Sequence, residues 1–530
     1  MARSSRQNFI SGAAVLAGAV AVTKVIGALY KIPLGNLLDK EGMAHFYVAY
    51  NIYNLLVMLS TAGLPLALSR LVAQANALGR ENQKRRILHV ALGLFLSVGV
   101  VCSGVMLLFS RPLAAMLHDS QAADAIRVLS PSVLCVCLIS ALRGYTQGCG
   151  NMKPTAASQV IESACKLLVG LPLAWLLLHR GQPSSMAAAG AIAGVTVGSV
   201  LGLTALGWYM ARTGAQRCST DAPAKPTQIA ADLLRIGVPV TVGAVGMSFI
   251  TLLDQALVMG TLQDVLGYSE AQSTALYGEY TFGMTLFNLP SSFIYPVTVS
   301  LIPAISAALA RHDRQGACRQ TEAAFRVTVL LALPAGVGLS ALAGPILDLL
   351  YPAVPETAAA AAYHLSVLGI ACVFVCLMIM GNGVLQAYGK EYIPVISLLV
   401  GGGVKILVNH LLVANPGIGI KGAPVGTLCC YVTIAAINLL AIRVAVPERP
   451  AYLKTFLPAI GATAVMALAA RGGYALLSRM LTGGSLAALG AIALAVAVYA
   501  AAALLLGAVR REDVLAFPKG EKIVEVLRMR

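Results

Sequence analysis

Charge is scarce in this sequence of 530 residues: Asp, Glu, Lys and Arg make up 11% of it, against about 25% in an ordinary soluble domain. That shortage excludes a soluble domain of any size. Metal-knuckle spacing is missing too. None of the eleven cysteines stands in a Cys-x-x-Cys pair. Most, such as Cys135, Cys137, Cys372 and Cys376, lie in apolar segments and read as small buried side chains rather than disulfide partners. There is no His-Glu-x-x-His, no Walker A loop, no Gly-x-Ser-x-Gly and no paired-carboxylate constellation. His89, His118, His179, His364 and His410 are scattered without ligand spacing. These absences argue against an enzyme, against a bound cofactor and against ATP hydrolysis by the Walker route.

What is abundant is apolar sequence, 58% of the chain, in runs long enough to cross a hydrocarbon core about 30 Å thick. The expected fold class is all-α and integral to a membrane. About fourteen transmembrane helices are expected, at 9–38, 44–77, 88–110, 123–148, 155–178, 187–210, 231–262, 274–309, 324–350, 358–388, 392–413, 421–444, 453–478 and 485–508. The first resembles a signal peptide, since Arg3 and Arg6 precede the apolar run Phe9 to Val22. The run continues past Lys24 to Leu38 without a convincing cleavage site, so it reads as a retained helix.

The net charge of +16 suits a nucleic-acid partner only until the basic residues are located. Arg80, Lys84, Arg85, Arg86, Lys153, Arg212, Arg311, Arg314, Lys390 and Arg443 fall in alternate loops, whereas the opposite loops hold few, such as Lys40, Arg111 and Arg479. By the positive-inside rule both termini face the cytoplasm, and the basic residues answer to the bilayer rather than to nucleic acid.

The chain repeats itself weakly. "RGYTQGCGNMKPT" from Arg143 resembles "NGVLQAYGKEYIPV" from Asn382, pairing Gly144 with Gly383, Gln147 with Gln386 and Gly150 with Gly389; Lys166 and Lys405 follow in the next span of each half. The expected organisation is therefore a first six-span lobe at 1–212, a cytoplasmic linker at 213–230, a second lobe at 231–446, two extra spans at 447–508 and a tail at 509–530. An even number of spans per half makes the lobes parallel, an architecture in which transporters bind substrate between halves.

Charges inside the spans mark the candidate site, because each costs about 2.5–3.5 kcal/mol at mid-bilayer and normally faces a cavity or a partner. Lys24 and Lys31 share one stripe of the first span, two turns apart. Lys24 reads as cavity-facing, and Lys31 as either cavity-facing or snorkelling to the surface. Arg70 adds a cation at the inner end of the second span. Glu162 and Lys166 stand at i, i+4 and can pair with each other or line a substrate path. Arg143 reads as an interfacial anchor. Asp254 and Glu279 are the acids that could hold a coupling Na+ or H+, or pair with a lysine. Tyr47, Tyr50 and Tyr53 read as an interfacial aromatic belt.

Four stretches carry a resemblance: "KVIGALYKIPLGNLL" from Lys24, "YNIYNLLVMLSTAGLPLALSRLVA" from Tyr50, "LRGYTQGCGNMKPTAASQVIE" from Leu142 and "FPKGEKI" from Phe517. Through them the chain resembles the multidrug/oligosaccharidyl-lipid/polysaccharide flippase superfamily over nearly its whole length. Within it, the chain looks most like the polysaccharide-biosynthesis group that includes stage V sporulation protein B and MurJ-type lipid II flippases. The resemblance implies a MATE-like pair of six-helix lobes working by alternating access in a bacterial cell membrane. It also implies a cargo, an undecaprenyl-pyrophosphate-linked sugar moved from the inner to the outer leaflet. Lys24, Lys31, Arg70, Glu162, Lys166, Asp254, Glu279 and Lys405 are the expected substrate-binding residues, in a monomer. Tyr30-Lys31 stands where the MurJ-type pattern carries Arg-Asp. A cation-coupled multidrug exporter of the same fold and a non-transporting envelope scaffold are the competing expectations.

Overall fold

The computed structural model describes residues 18–20, 22–23, 25–27, 29–213, 220–446, 452–480 and 483–509. Lys24 and the expected tail from residue 510 onward lie outside them. Among the described residues all regular structure is helical, as a bilayer demands, because a helix satisfies its backbone hydrogen bonds within one segment.

The helices are α1 (Gly18–Leu37), α2 (Lys40–Thr61), α3 (Leu64–Ala77), α4 (Glu81–Leu108), α5 (Ser110–Met116), α6 (Ala123–Gly148), α7 (Lys153–Cys165), α8 (Leu171–His179), α9 (Ser184–Thr213), α10 (Pro226–Gly260), α11 (Glu270–Ala310), α12 (Arg314–Ala341), α13 (Ala343–Leu350), α14 (Pro355–Ala387), α15 (Tyr392–Val413), α16 (Gly422–Ala445), α17 (Tyr452–Met480) and α18 (Gly484–Leu505). Among the described residues, twelve segments are long and apolar enough to cross a membrane. The expected fourteen is not reached by that count. The stretches expected as spans seven and eight are the helices α10 and α11, of 35 and 41 residues.

The chain forms two compact units, Met1–Gly278 and Glu279–Arg530. In the first, α6 packs between α4 and α9, α7 and α8 lie along α9, and α10 lies against α2 and α3. In the second, α14 packs on α12 and α16, α15 on α16, and α17 on α12 and α18.

Local chemistry explains the breaks. The expected second span is two helices, α2 and α3, parted at Gly63, where a Cβ would collide with the carbonyl oxygen of Gly237 on α10; Thr241 Oγ1 accepts the Gly63 N–H at 3.1 Å. The expected fifth span is α7 and α8 joined by one π-turn, Lys166–Gly170. Pro172, just inside α8, supplies no N–H, and its ring pushes away the carbonyl four residues earlier. The repeated Gln-x-x-Gly motif ends α6 and α14 alike. Gly150 donates to Gln147 O at 2.9 Å and Gly389 to Gln386 O at 3.0 Å, both with left-handed φ of 79° and 69°.

Gly190, Gly194, Gly198 and Gly202 recur every fourth residue of α9 and admit the fifth span to close range, as small residues do between membrane helices. A Cβ on Gly198 would lie 2.8 Å from Glu162 O. Gly198→Leu is therefore expected to cost about 1–3 kcal/mol through overpacking, seen as a lowered thermal midpoint in detergent; an unchanged midpoint would mean that α9 yields freely.

Candidate functional site

The site is built on α2. Phe46, Tyr47, Tyr50 and Tyr53 follow the three- and four-residue spacing of one helical face. Phe46 stacks on Tyr50 with centroids 5.6 Å apart, and Tyr50 and Tyr53 are also 5.6 Å apart. The expected interfacial belt is not what these rings form. Tyr47 and Tyr53 are buried at 8% and 7% exposure within the first unit, and Tyr50 is half-buried.

Two lysines from different segments converge on these rings. Lys31 of α1 donates to Tyr47 Oη at 3.0 Å, its ammonium 4.7 Å from the ring centre. The neighbouring Tyr30 fixes α1 in place by donating to Ala191 O of α9 at 3.0 Å. Lys31 thus has a protein partner rather than a snorkelling role. Lys166 opens the π-turn, its ammonium 6.0 Å from the Tyr50 ring. A π-turn re-aims the side chains around it and is frequent at functional sites.

A third base joins from α6. Arg143 Nη2 donates to Glu162 Oε1 at 2.8 Å, and its Nε donates to Ser158 Oγ at 2.9 Å. Both partners of the ion pair are mostly buried, at 15% and 19% exposure. Arg143 is therefore no interfacial anchor, and Glu162 forms its ion pair with Arg143 across the helix pair rather than with Lys166 on its own face. Arg143 lies six residues before Cys149 and Glu162 ten residues after Met152, and the packing of α7 back against α6 brings the two side chains together.

The other expected site residues fall elsewhere. Arg70 is exposed on α3, and Asp254 is buried on α10 beside Gln255, whose Oε1 accepts from Asn51 Nδ2 at 2.7 Å. Glu279, half-buried, and Lys405, buried, belong to the second unit. Two features were not singled out from sequence. His45 of α2 meets Asp119 at 2.8 Å, both buried. Asp221, expected only as linker, caps α4 by accepting from Asn82 N at 3.1 Å and Gln83 N at 2.9 Å. Contacts of this kind join residues far apart in the chain and leave no periodic trace. The second unit also holds an apolar groove of about 480 Å³, lined by Leu286, Leu330, Leu339, Met466, Ile492 and Tyr499 among others.

A multi-pass helical protein with three bases and one acid set into its first unit has the build of a membrane transporter, and comparisons with known proteins agree. A family model described as "Polysaccharide biosynthesis protein" matches residues 9–309, and one described as "MatE" matches 239–411. The chain belongs to the polysaccharide biosynthesis protein family, within the multidrug/oligosaccharidyl-lipid/polysaccharide flippase superfamily.

Three relatives from Bacillus subtilis are similar to it over most of its length. The membrane protein YabM is 29% identical, covering 82% of this chain and 79% of its own. Stage V sporulation protein B is 27% identical, covering 84% and 85%. The lipid II flippase MurJ is 24% identical, covering 76% and 77%. Among solved structures, MurJ in an inward closed conformation shares the fold with a TM-score of 0.69 at 13% identity, over 92% of this chain and 97% of that one.

Proposed function

We propose that this protein is a flippase that carries an undecaprenyl-pyrophosphate-linked sugar from the inner to the outer leaflet of a bacterial cell membrane, as a monomer with both termini cytoplasmic. The convergence of Lys31 and Lys166 on the Tyr47 and Tyr50 rings carries this reading. With Arg143 and Glu162 the cluster holds three bases against one acid. The excess of positive charge has the sign that a doubly negative diphosphate diester requires. Lysine ammonium groups act on such a group as point charges, and at an effective dielectric constant of about 20 each contact at about 4 Å is worth roughly 4 kcal/mol before desolvation. The name of the relative MurJ, a lipid II flippase, supports the same class of cargo.

An exporter of cationic drugs, the reading closest to the MatE match, needs an acid-rich site, and this cluster has the opposite balance. The test is flipping of a fluorescent prenyl-diphosphate sugar in proteoliposomes, read by quenching from outside. Protein-dependent loss of protection is the expected result. A flip rate equal to that of empty liposomes would remove the reading and favour a scaffold.

A further inference from the structure

Glu162 is the one acid in the cluster, and it is built in rather than tolerated. Its carboxylate accepts from Arg143 Nη2 at 2.8 Å. It rests in a notch of α9, where a Cβ on Gly202 would come within 3.0 Å of Oε1, and its backbone sits against Gly198. A Cβ at position 202 would make the carboxylate give by a few tenths of an ångström, and a bulkier side chain by more. If the site took an anion by positive charge alone, an acid held this closely against its arginine would only weaken it.

We propose that Glu162 is an internal counter-anion and the proton site of the carrier: the entering diphosphate takes Arg143 from it, and the released carboxylate binds one proton from water. This rests on the flippase reading. The exchange balances. The Arg143–Glu162 contact breaks, an Arg143–phosphate contact forms, and one proton passes from solvent to a Glu162 oxygen. On the outer side the steps reverse, and the return of Glu162 to Arg143 competes with the head group and helps to expel it. An isolated buried carboxylate is costly, whereas its protonated form is not, so binding and proton uptake are tied together.

Among the described residues, the groups near Glu162 come from several elements. Tyr53 from α2 and Arg143 and Cys135 from α6 lie near it, Cys165 and Lys166 belong to its own segment, and α9 presents Gly198 and Gly202. None of these is a second carboxylate or a histidine. The diphosphate diester itself has no ionisation near neutrality.

The experiment measures binding of a prenyl-diphosphate-linked N-acetylhexosamine to purified full-length protein between about pH 5.5 and 8, with net proton uptake on mixing followed in weak buffer. Wild type is expected to bind about 10-fold tighter per unit fall in pH where Glu162 is the group taking up the proton, with uptake approaching one proton per ligand. Glu162→Gln should bind tighter than wild type at the upper pH, with no pH slope, and should flip more slowly because release is impaired. Wild-type binding without uptake overturns the proposal, as does a Glu162→Gln slope equal to that of wild type. The uptake measurement on wild type decides the matter even if the variant fails to fold. No binding at any pH would instead remove the flippase reading and this proposal with it.

Discussion

The double substitution Lys31→Ala/Lys166→Ala is expected to reduce the flip rate at least about 100-fold. Each lysine supplies a charged contact to the diphosphate, worth about 1.5–3 kcal/mol by analogy with other charged hydrogen bonds, and a factor of ten is about 1.4 kcal/mol. Protein level and thermal midpoint should stay close to wild type, because the Tyr47 and Tyr50 rings remain packed on Phe46. Lys153→Ala is the control, being exposed at the start of α7; it should leave transport unchanged. Tyr47→Phe should fall between, since it keeps the ring under Lys31 but removes the hydroxyl that holds the ammonium. Full transport by the double variant would return both lysines to a structural role.

A loss of a different kind is expected for Arg143→Ala. Removing one member of a mostly buried ion pair leaves the other charge without its counter-ion, at a cost of about 3–5 kcal/mol. That approaches the whole stability of many domains, so the variant should be depleted from the membrane before transport can be assayed. Arg143→Ala/Glu162→Gln removes the stranded charge and should recover much of the protein level while still failing to transport. Quantitative membrane immunoblots beside the flip assay separate the two effects. A normal level of Arg143→Ala would mean that the pair contributes little to the fold.

These two predictions mark the boundary of what the sequence discloses. Apolar run length and the rarity of charge are properties of composition, and they led directly to a helical membrane protein with eight charged residues to examine, of which Lys31, Glu162 and Lys166 fall in one cluster and Arg70, Asp254, Glu279 and Lys405 do not. The family was legible in the motif from Leu142 to Glu162, whose glycine at 150 is held with left-handed φ. Pairing across helices was not legible. Arg143 finds Glu162 by the antiparallel packing of α6 and α7, and α2 packs against α6, α9 and α10 with Tyr47 and Tyr53 buried. A helical period tells which residues share a face, but not what the face meets. The break at Gly63 escaped for the same reason, since it depends on the close approach of the α10 backbone, whereas Pro172 is a local mark of the break at Lys166–Gly170.

The most direct test of the central claim compares the affinity of purified protein for prenyl diphosphate sugar with that for prenyl monophosphate sugar, in wild type and in Lys31→Ala/Lys166→Ala. If the lysine–tyrosine cluster holds the diphosphate, wild type prefers the diphosphate by about 10-fold or more and the variant loses that preference. Equal affinity for the two lipids in wild type, or an unchanged preference in the variant, would contradict it.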